Sequence, residues 1–269
     1  IGRGCPQGGI ISPTLWLLVI NPLLASLERM PGVKCVAYAD DVTVLLTATC
    51  EERINSMCEA VLARVEEWSM ESGVEINKSK SNILPIECKL DPSLGYGLRI
   101  VTSTSILGLL FDEKLKFTAH INQKIEKAKK FLNFTKRFFY KDHLISSRTK
   151  LLWYTSAIRP MVTYGSEIWH RDVSGGNCRR LMPYKRATSL PKLKSLQHQF
   201  LVSAVHGYRD ISYVDSHSLG RVAFLDEYLD EKSRNYMEKK KLKPMTYLSK
   251  LRHRHRFLKQ FPSNDNCEE

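Results

Sequence analysis

Nowhere does this chain carry an apolar run long enough to cross a bilayer. The run Leu15 to Ile20 falls far short of the roughly 20 residues a spanning helix needs, and it stops at Asn21-Pro22. It also lacks a charged leading segment and a small-residue cleavage site, which argues against a secretory signal. The seven cysteines are odd in number and scattered, with no Cys-x-x-Cys pair and no regular histidine spacing around them. A disulfide framework is therefore not expected, and a reducing, intracellular setting is, in cytoplasm and nucleus. Cys178 with His198 and His206, or Cys267 with His253 and His255, match no standard zinc-finger spacing and read as surface or core residues. Acidic residues are in deficit: 28 Asp plus Glu against 41 Lys plus Arg give a net charge of +13. Such an excess favours a polyanionic partner, nucleic acid first, although a basic surface also serves solubility. The 269 residues, 43% of them hydrophobic, suffice for one substantial core or two small domains.

Charge is placed most pointedly at Tyr38-Ala39-Asp40-Asp41, between the short apolar runs Val33 to Ala37 and Val42 to Leu46. Both runs have the composition of half-buried strands, and the break between them allows only a tight hairpin with the acids at its tip. Two carboxylates a few ångströms apart repel, and one takes up a proton unless a cation neutralises both. A divalent metal does this, and Mg²⁺ prefers one or two carboxylates plus waters and phosphates to a full protein cage. Asp is also a common turn residue, so the pair alone would read as a solvated bend. Upstream lies Gly4-Cys5-Pro6-Gln7-Gly8-Gly9-Ile10-Ile11-Ser12-Pro13. Gly8 and Gly9 allow backbone to approach a ligand closely, and Gln7 offers a donor and an acceptor suited to a nucleotide. Ser12 is a good N-cap with Pro13 at the first helical position, opening a buried helix through Leu15 to Ile20.

In this order and at this separation, the Pro-Gln-Gly loop and Tyr-x-Asp-Asp hairpin resemble the palm of reverse transcriptases. The later chain resembles the non-LTR retrotransposon branch, of jockey or related insect type. The residues that carry this are Gly73-Val74-Glu75-Ile76-Asn77-Lys78-Ser79-Lys80-Ser81, then Ile106-Leu107-Gly108 with Phe117 and His120-Ile121 after it, then Ala157 to Trp169. The likeness runs from Gly2 to about Gly207. It implies an RNA-directed DNA polymerase that transfers deoxynucleotides to a primer 3′-hydroxyl with two Mg²⁺ ions, Mn²⁺ being possible. RNA template, DNA primer and deoxynucleoside triphosphates are the partners it implies, with no membrane.

The resemblance also assigns residues. Asp40 ligates metal; Asp41 assists, as ligand or as electrostatic support. Lys80 protonates or stabilises the departing pyrophosphate. Pro6, Gln7 and Gly8 shape the nucleotide pocket, Ser12 and Pro13 lie near the template, and Tyr38 packs beside the primer end. Leu107 and Gly108 match the primer grip. Family members carry a further metal-binding Asp before the Pro-Gln-Gly loop, together with the fingers. This chain begins at Ile1 without an initiator Met, so the expectation is a fragment that is inactive alone. The other reading is a decayed or repurposed remnant that only binds nucleic acid.

Periodicity supplies the organisation. Ile54, Cys58, Val61, Val65 and Trp68 recur at helical spacing and predict an amphipathic helix over 51–72 that covers a sheet and ends at Gly73. Val74 to Ile76, Asn82 to Leu84, Arg99 to Val101 and Leu109 to Phe111 read as short strands. The fold class expected is α+β: a partial palm, with a mixed or antiparallel sheet and helices on one face, over 1–116. An all-helical thumb-like region follows over 117–171, with Ile121, Ile125, Ala128, Leu132 and Phe139 on one side. Lys124, Lys127, Lys129, Lys130, Lys136, Arg137 and Lys141 form its basic face, either solvated stems or a grip on duplex phosphates. A helix from Ser147 should kink or end at Pro160. Residues 172–190 read as a linker, and 191–269 as a basic helical region in which Leu193, Leu196, Phe200 and Leu201 make the apolar stripe. Lys239 to Lys241 and Arg252 to Arg256 are charge runs, and the polar, acidic composition of Pro262 to Glu269 predicts a disordered tail.

Overall fold

Helix α1 (Ser12–Glu28) is apolar nearly all round, yet only one stripe of it is covered. Ile20, Leu23 and Leu27 are buried at i, i+3 and i+7, whereas Leu15, Leu17 and Leu18 stay 44%, 62% and 67% exposed. The expected buried helix is thus half right, because a stripe needs a facing element and α1 has one on a single side. Its start also differs: Ile11 is the N-cap and no side chain caps the end. Ser12 therefore stands inside the first turn, with Pro13 where a missing N–H is harmless. The computed structural model describes residues 8–86, 88, 90, 97–139, 145–170, 190–208 and 210–239, the side chains of 136–139 excepted.

The chain forms two compact units, residues 1–106 and 107–269. In the first, β1 (Val33–Tyr38) and β2 (Asp41–Leu46) pair antiparallel from Val33 opposite Leu46 to Tyr38 opposite Asp41. Alternation turns Val33 and Cys35 inward and Lys34 and Val36 outward, as a pleat with one covered face requires. Helix α2 (Glu51–Ser72) packs on α1 and β2. Its Val61 and Trp68 join Ile20, Leu23, Leu27, Val33 and Cys35 in one core. Each large aliphatic side chain buried there contributes about 1.5–3 kcal/mol. Burial pushes the Cys35 and Cys58 thiols up, so both stay protonated and unreactive.

The single mixed sheet expected from the sequence is not formed among the described residues. Residues 74–77 make no strand, because local bonds take their polar groups. Ser69 Oγ donates to the Val74 carbonyl at 2.6 Å, Val74 N–H donates to Ser72 Oγ at 3.3 Å, and Lys78 N–H to the Ile76 carbonyl at 3.0 Å. Instead β3 (Asn82–Ile83) pairs parallel with β4 (Arg99–Ile100) as a separate two-stranded piece. Strand β5 (Ser103–Ile106) closes the unit.

The second unit opens with β6 (Leu109–Asp112). The Asp112 carboxylate accepts from the N–H groups of Lys114, Lys116 and Phe117 at 3.1, 3.0 and 2.7 Å, and so shapes the entry to α3 (Thr118–Phe139). Leu109 and Phe117 are buried with Ile121, Ile125, Ala128 and Leu132 of α3. Strand β6 accordingly belongs with the helical unit, ahead of the boundary the sequence placed near Lys116. Helix α4 (Ser147–Trp153) is capped by Ser146 and runs into a π-helical turn, Tyr154–Ile158, then α5 (Arg159–Val162). The chain thus stays helical through Pro160 by widening one turn ahead of it.

Three longer helices complete the core after α6 (Ser166–Trp169): α7 (Leu190–Ala204), α8 (Tyr213–Gly220) and α9 (Leu225–Lys239). Leu193, Leu196, Phe200 and Leu201 of α7 are all buried. Ion pairs Lys194–Asp226 at 2.5 Å and Lys232–Glu167 at 3.1 Å, with a hydrogen bond between His170 Nε2 and Asp230 Oδ1 at 2.6 Å, fasten α9 to α7 and to the end of α6. The predicted linker up to 189, the charge runs beyond Lys239, the C-terminal tail, Lys141, Cys178 and Cys267 lie outside the described residues. Among the described residues no helix is long and apolar enough to cross a membrane.

Candidate functional site

The hairpin turn is two residues, Ala39 and Asp40, closed by the Tyr38–Asp41 pair. Ala39 stands at φ +53 while Asp40 keeps a negative φ. Tight hairpins prefer glycine at such a position, so alanine there holds about 1–2 kcal/mol of strain. A strained turn persists only when its surroundings hold it. The holder is Trp16 of α1, whose indole N–H donates to the Ala39 carbonyl at 2.6 Å. A second indole works one layer deeper: Trp68 of α2 donates to the Val19 carbonyl at 3.2 Å. Carboxylate turn, α1 and α2 are thus linked through two tryptophans. The sequence reading missed Trp16, although an indole in an otherwise aliphatic helical run was the available signal.

Asp40 and Asp41 are exposed, and among the described residues neither side chain has a hydrogen-bond or ion-pair partner. Tyr38 beside them is 67% exposed. Two neighbouring carboxylates on a fixed turn are the hard oxygen donor set that suits Mg²⁺ or Mn²⁺. No group of three or more His, Cys, Asp or Glu is gathered among the described residues.

Other residues singled out in the sequence fall around this turn unevenly. Ser12 and Pro13 lie one turn before Trp16 on the same helix, so the Trp16 bond ties the loop end of α1 to the carboxylates. Gly8 is exposed at φ +82, with open space where a Cβ would stand. Pro6 and Gln7 lie outside the described residues. Lys80 is exposed in a turn built by Asn77, whose Oδ1 accepts from the Lys80 N–H at 3.2 Å and from Ser79 Oγ at 2.6 Å. Among the described residues no hydrogen bond joins Lys80 to the carboxylate turn.

Leu107 and Gly108 lie in the second unit, where three separated motifs meet. The turn has φ +49 at Leu107 and +76 at Gly108, so glycine is the natural occupant of the second place. Tyr164 OH donates to the Leu107 carbonyl at 2.7 Å. Lys124 Nζ lies 3.4 Å from the Gly108 carbonyl and 4.7 Å over the Tyr164 ring. His120, fully buried, accepts the Leu110 N–H on Nδ1 at 3.2 Å. Its proton therefore sits on Nε2, which faces the Tyr164 carbonyl at 3.4 Å. Burial, with Lys124 nearby, keeps this imidazole neutral by lowering its pKa. Trp169 Nε1 donates to the same Tyr164 carbonyl at 2.9 Å. A Cβ on Gly165 would stand 2.7 Å from Leu109, so only glycine lets this segment close on β6. On the outer face of α3, Lys127, Lys129 and Lys130 are exposed, with Lys129 paired to Glu126 at 2.9 Å; the side chains of Lys136 and Arg137 are outside the described set.

His198 Nδ1 lies 3.0 Å from Ser216 Oγ, and His206 Nε2 is 3.4 Å from Lys150 Nζ, so both imidazoles have protein partners.

The span that holds the loop, the Trp16 tether and the carboxylate hairpin is also the span with known relatives. Residues 1–111 match the reverse transcriptase (RNA-dependent DNA polymerase) family. The chain is 28% identical over 194 residues to a retrovirus-related Pol polyprotein from type-1 retrotransposable element R1 of Nasonia vitripennis, covering 66% of this chain and 56% of the relative. It is 26% identical over 231 residues to a putative 115 kDa protein in element R1DM of Drosophila melanogaster, covering 84% of this chain and 21% of the relative. An RNA-directed DNA polymerase from mobile element jockey of Drosophila funebris is 28% identical over 131 residues, 45% of this chain and 14% of the relative. The chain thus spans about half of the first relative, about a fifth of the second and about a seventh of the third. No solved structure matches. The reverse transcriptase match takes in β1 to β5, most of β6 and the Leu107-Gly108 turn; the R1DM similarity, at 84% of the chain, extends into the helices beyond.

Proposed function

We propose that this chain is part of an RNA-directed DNA polymerase of a non-LTR retrotransposon, with residues 1–116 as partial polymerase palm and 117–171 as a thumb-like region. The observation that carries the reading is the Asp40-Asp41 pair, unpaired among the described residues and presented on a tethered turn inside the span that matches reverse transcriptases. When bound, Mg²⁺ or Mn²⁺ supplies positive charge to the entering and leaving oxygens as a primer 3′-hydroxyl attacks a deoxynucleotide α-phosphate. Asp40 holds the cation, and Asp41 adds a second ligand or its field. Tyr38, exposed at the strand end, packs beside the primer terminus. Gly8 gives the nucleotide close access to backbone, with Pro6 and Gln7 shaping the pocket and Ser12 and Pro13 near the template. Lys80 neutralises the departing pyrophosphate as a mobile cation. The Leu107-Gly108 turn meets the primer strand, and the exposed lysines of α3 hold template–primer phosphates.

The net charge of +13 supports a nucleic-acid partner. The free thiols of Cys35, Cys50, Cys58 and Cys88 support work inside the cell, in cytoplasm and nucleus. The test is Mn²⁺ binding followed by electron paramagnetic resonance, with and without a template–primer duplex and a deoxynucleotide. Wild type should bind Mn²⁺ more tightly with both present, and Asp40→Asn should lose that site. Equal binding by wild type and Asp40→Asn would refute the proposal.

A further inference from the structure

Exposed lysines usually swing freely, and those that are held are most often held by a carboxylate that cancels their charge. Among the described residues, Lys124 is held by groups that leave its charge in place. Its Nζ sits against the Gly108 carbonyl at 3.4 Å and over the Tyr164 ring at 4.7 Å, both electron-rich and both uncharged. Among the described residues no acid pairs with it. Tyr164 is fixed in turn: its hydroxyl is bonded to Leu107, and its own carbonyl faces both Trp169 Nε1 and His120 Nε2. Tyr164 and Leu107 remain 44% and 47% exposed, so the fixed charge lies at an open surface. A preorganised cation beside an exposed backbone turn suits one kind of group, an anionic oxygen on an extended chain.

We propose that Lys124, seated between the Gly108 carbonyl and the Tyr164 ring, contacts one phosphodiester of a nucleic-acid strand that crosses the Leu107-Gly108 turn, with Tyr164 as its positioning residue. This rests on the reading of that turn as strand-facing. The partial desolvation of Lys124 and the nearby charge of Lys127 lower its pKa, and the negative charge of a bound phosphate offsets both. His120 and Gly165 then serve the same contact indirectly, by holding Leu110 and Leu109 where the turn begins β6.

The test uses the whole chain with a template–primer duplex, reading affinity by fluorescence anisotropy across a salt series and hydrogen exchange over residues 105–111. Lys124→Gln should weaken binding about fivefold and reduce the salt slope by about one, as loss of one phosphate contact does. Lys124→Arg should restore most of both. Tyr164→Phe keeps the ring but loses the hydroxyl bond; exchange over 105–111 should quicken and affinity fall about threefold, the scale of one modest hydrogen bond. Lys114→Gln, an exposed lysine next to Glu113, is the control for general charge loss. If duplex protects 105–111 in wild type while Lys124→Gln binds like Lys114→Gln, this contact is overturned and the strand-facing turn stands. If duplex leaves 105–111 unprotected, the strand-facing reading falls and the contact with it.

Discussion

Replacing Trp16 by Phe removes one N–H and little else, because the smaller ring still faces the same core. The bond lost is the 2.6 Å contact to the Ala39 carbonyl. Such a bond contributes about 0.5–1.5 kcal/mol net, and water can reach this exposed carbonyl, so the stability loss should sit near the low end. The larger effect should fall on metal. Ala39 at φ +53 stores strain that the tether opposes, and releasing it lets the turn move the carboxylates apart. About 1 kcal/mol of lost preorganisation corresponds to roughly fivefold weaker Mn²⁺ binding. Ala39→Gly removes the strain itself, so the double variant Trp16→Phe/Ala39→Gly should lose less than the two single effects combined, by about 0.5 kcal/mol or more. The assay is Mn²⁺ titration of the four proteins by electron paramagnetic resonance, with urea unfolding alongside. Unchanged Mn²⁺ affinity in Trp16→Phe, with no coupling to position 39, would refute the tether.

Two further outcomes follow from the second unit. Gly165→Ala would press a methyl to 2.7 Å from Leu109 at a positive φ, and should cost about 1–3 kcal/mol from overpacking plus about 1 kcal/mol of backbone strain, read as a lower urea midpoint. His120 is held neutral below its ordinary value, so between the lowered pKa and about 6.5 the unfolded chain binds more protons than the folded one. Stability is therefore complete above that window and is lost as pH falls through it. Buried His217 titrates in the same direction, so the informative comparison is wild type against His120→Asn, whose urea midpoint should change less between pH 7.5 and 5.5.

Local signals were legible where one residue pattern decides one element. The Asp-Asp hairpin, the helix ending at Gly73 and the stripe from Ile121 to Leu132 stand where spacing put them, since a four-residue break between two apolar runs admits little but a hairpin and a covered stripe little but a helix. What failed depended on neighbours. Val74 to Ile76 has strand composition, but Ser69 and Ser72 take its polar groups from the preceding helix. Leu15, Leu17 and Leu18 read as buried because they are apolar, yet burial needs a facing element and periodicity does not supply one. The holders of the candidate site were invisible for the same reason. Trp16 lies 23 residues from Ala39, and Tyr164 lies 57 from Leu107. Sequence offers no rule that pairs an indole or a phenol with one particular carbonyl at such separations.

The central claim is that Asp40 and Asp41 bring a divalent cation to the end of a primer. Iron-mediated cleavage tests both halves together: Fe²⁺ replaces Mg²⁺, ascorbate is added, and strand breaks in a bound, end-labelled template–primer are mapped on a sequencing gel. The account predicts cuts clustered at the primer 3′ end with wild type and none above background with Asp40→Asn/Asp41→Asn, although both proteins bind the duplex. Cuts spread evenly along the duplex, or an unchanged cluster in the double variant, would contradict it.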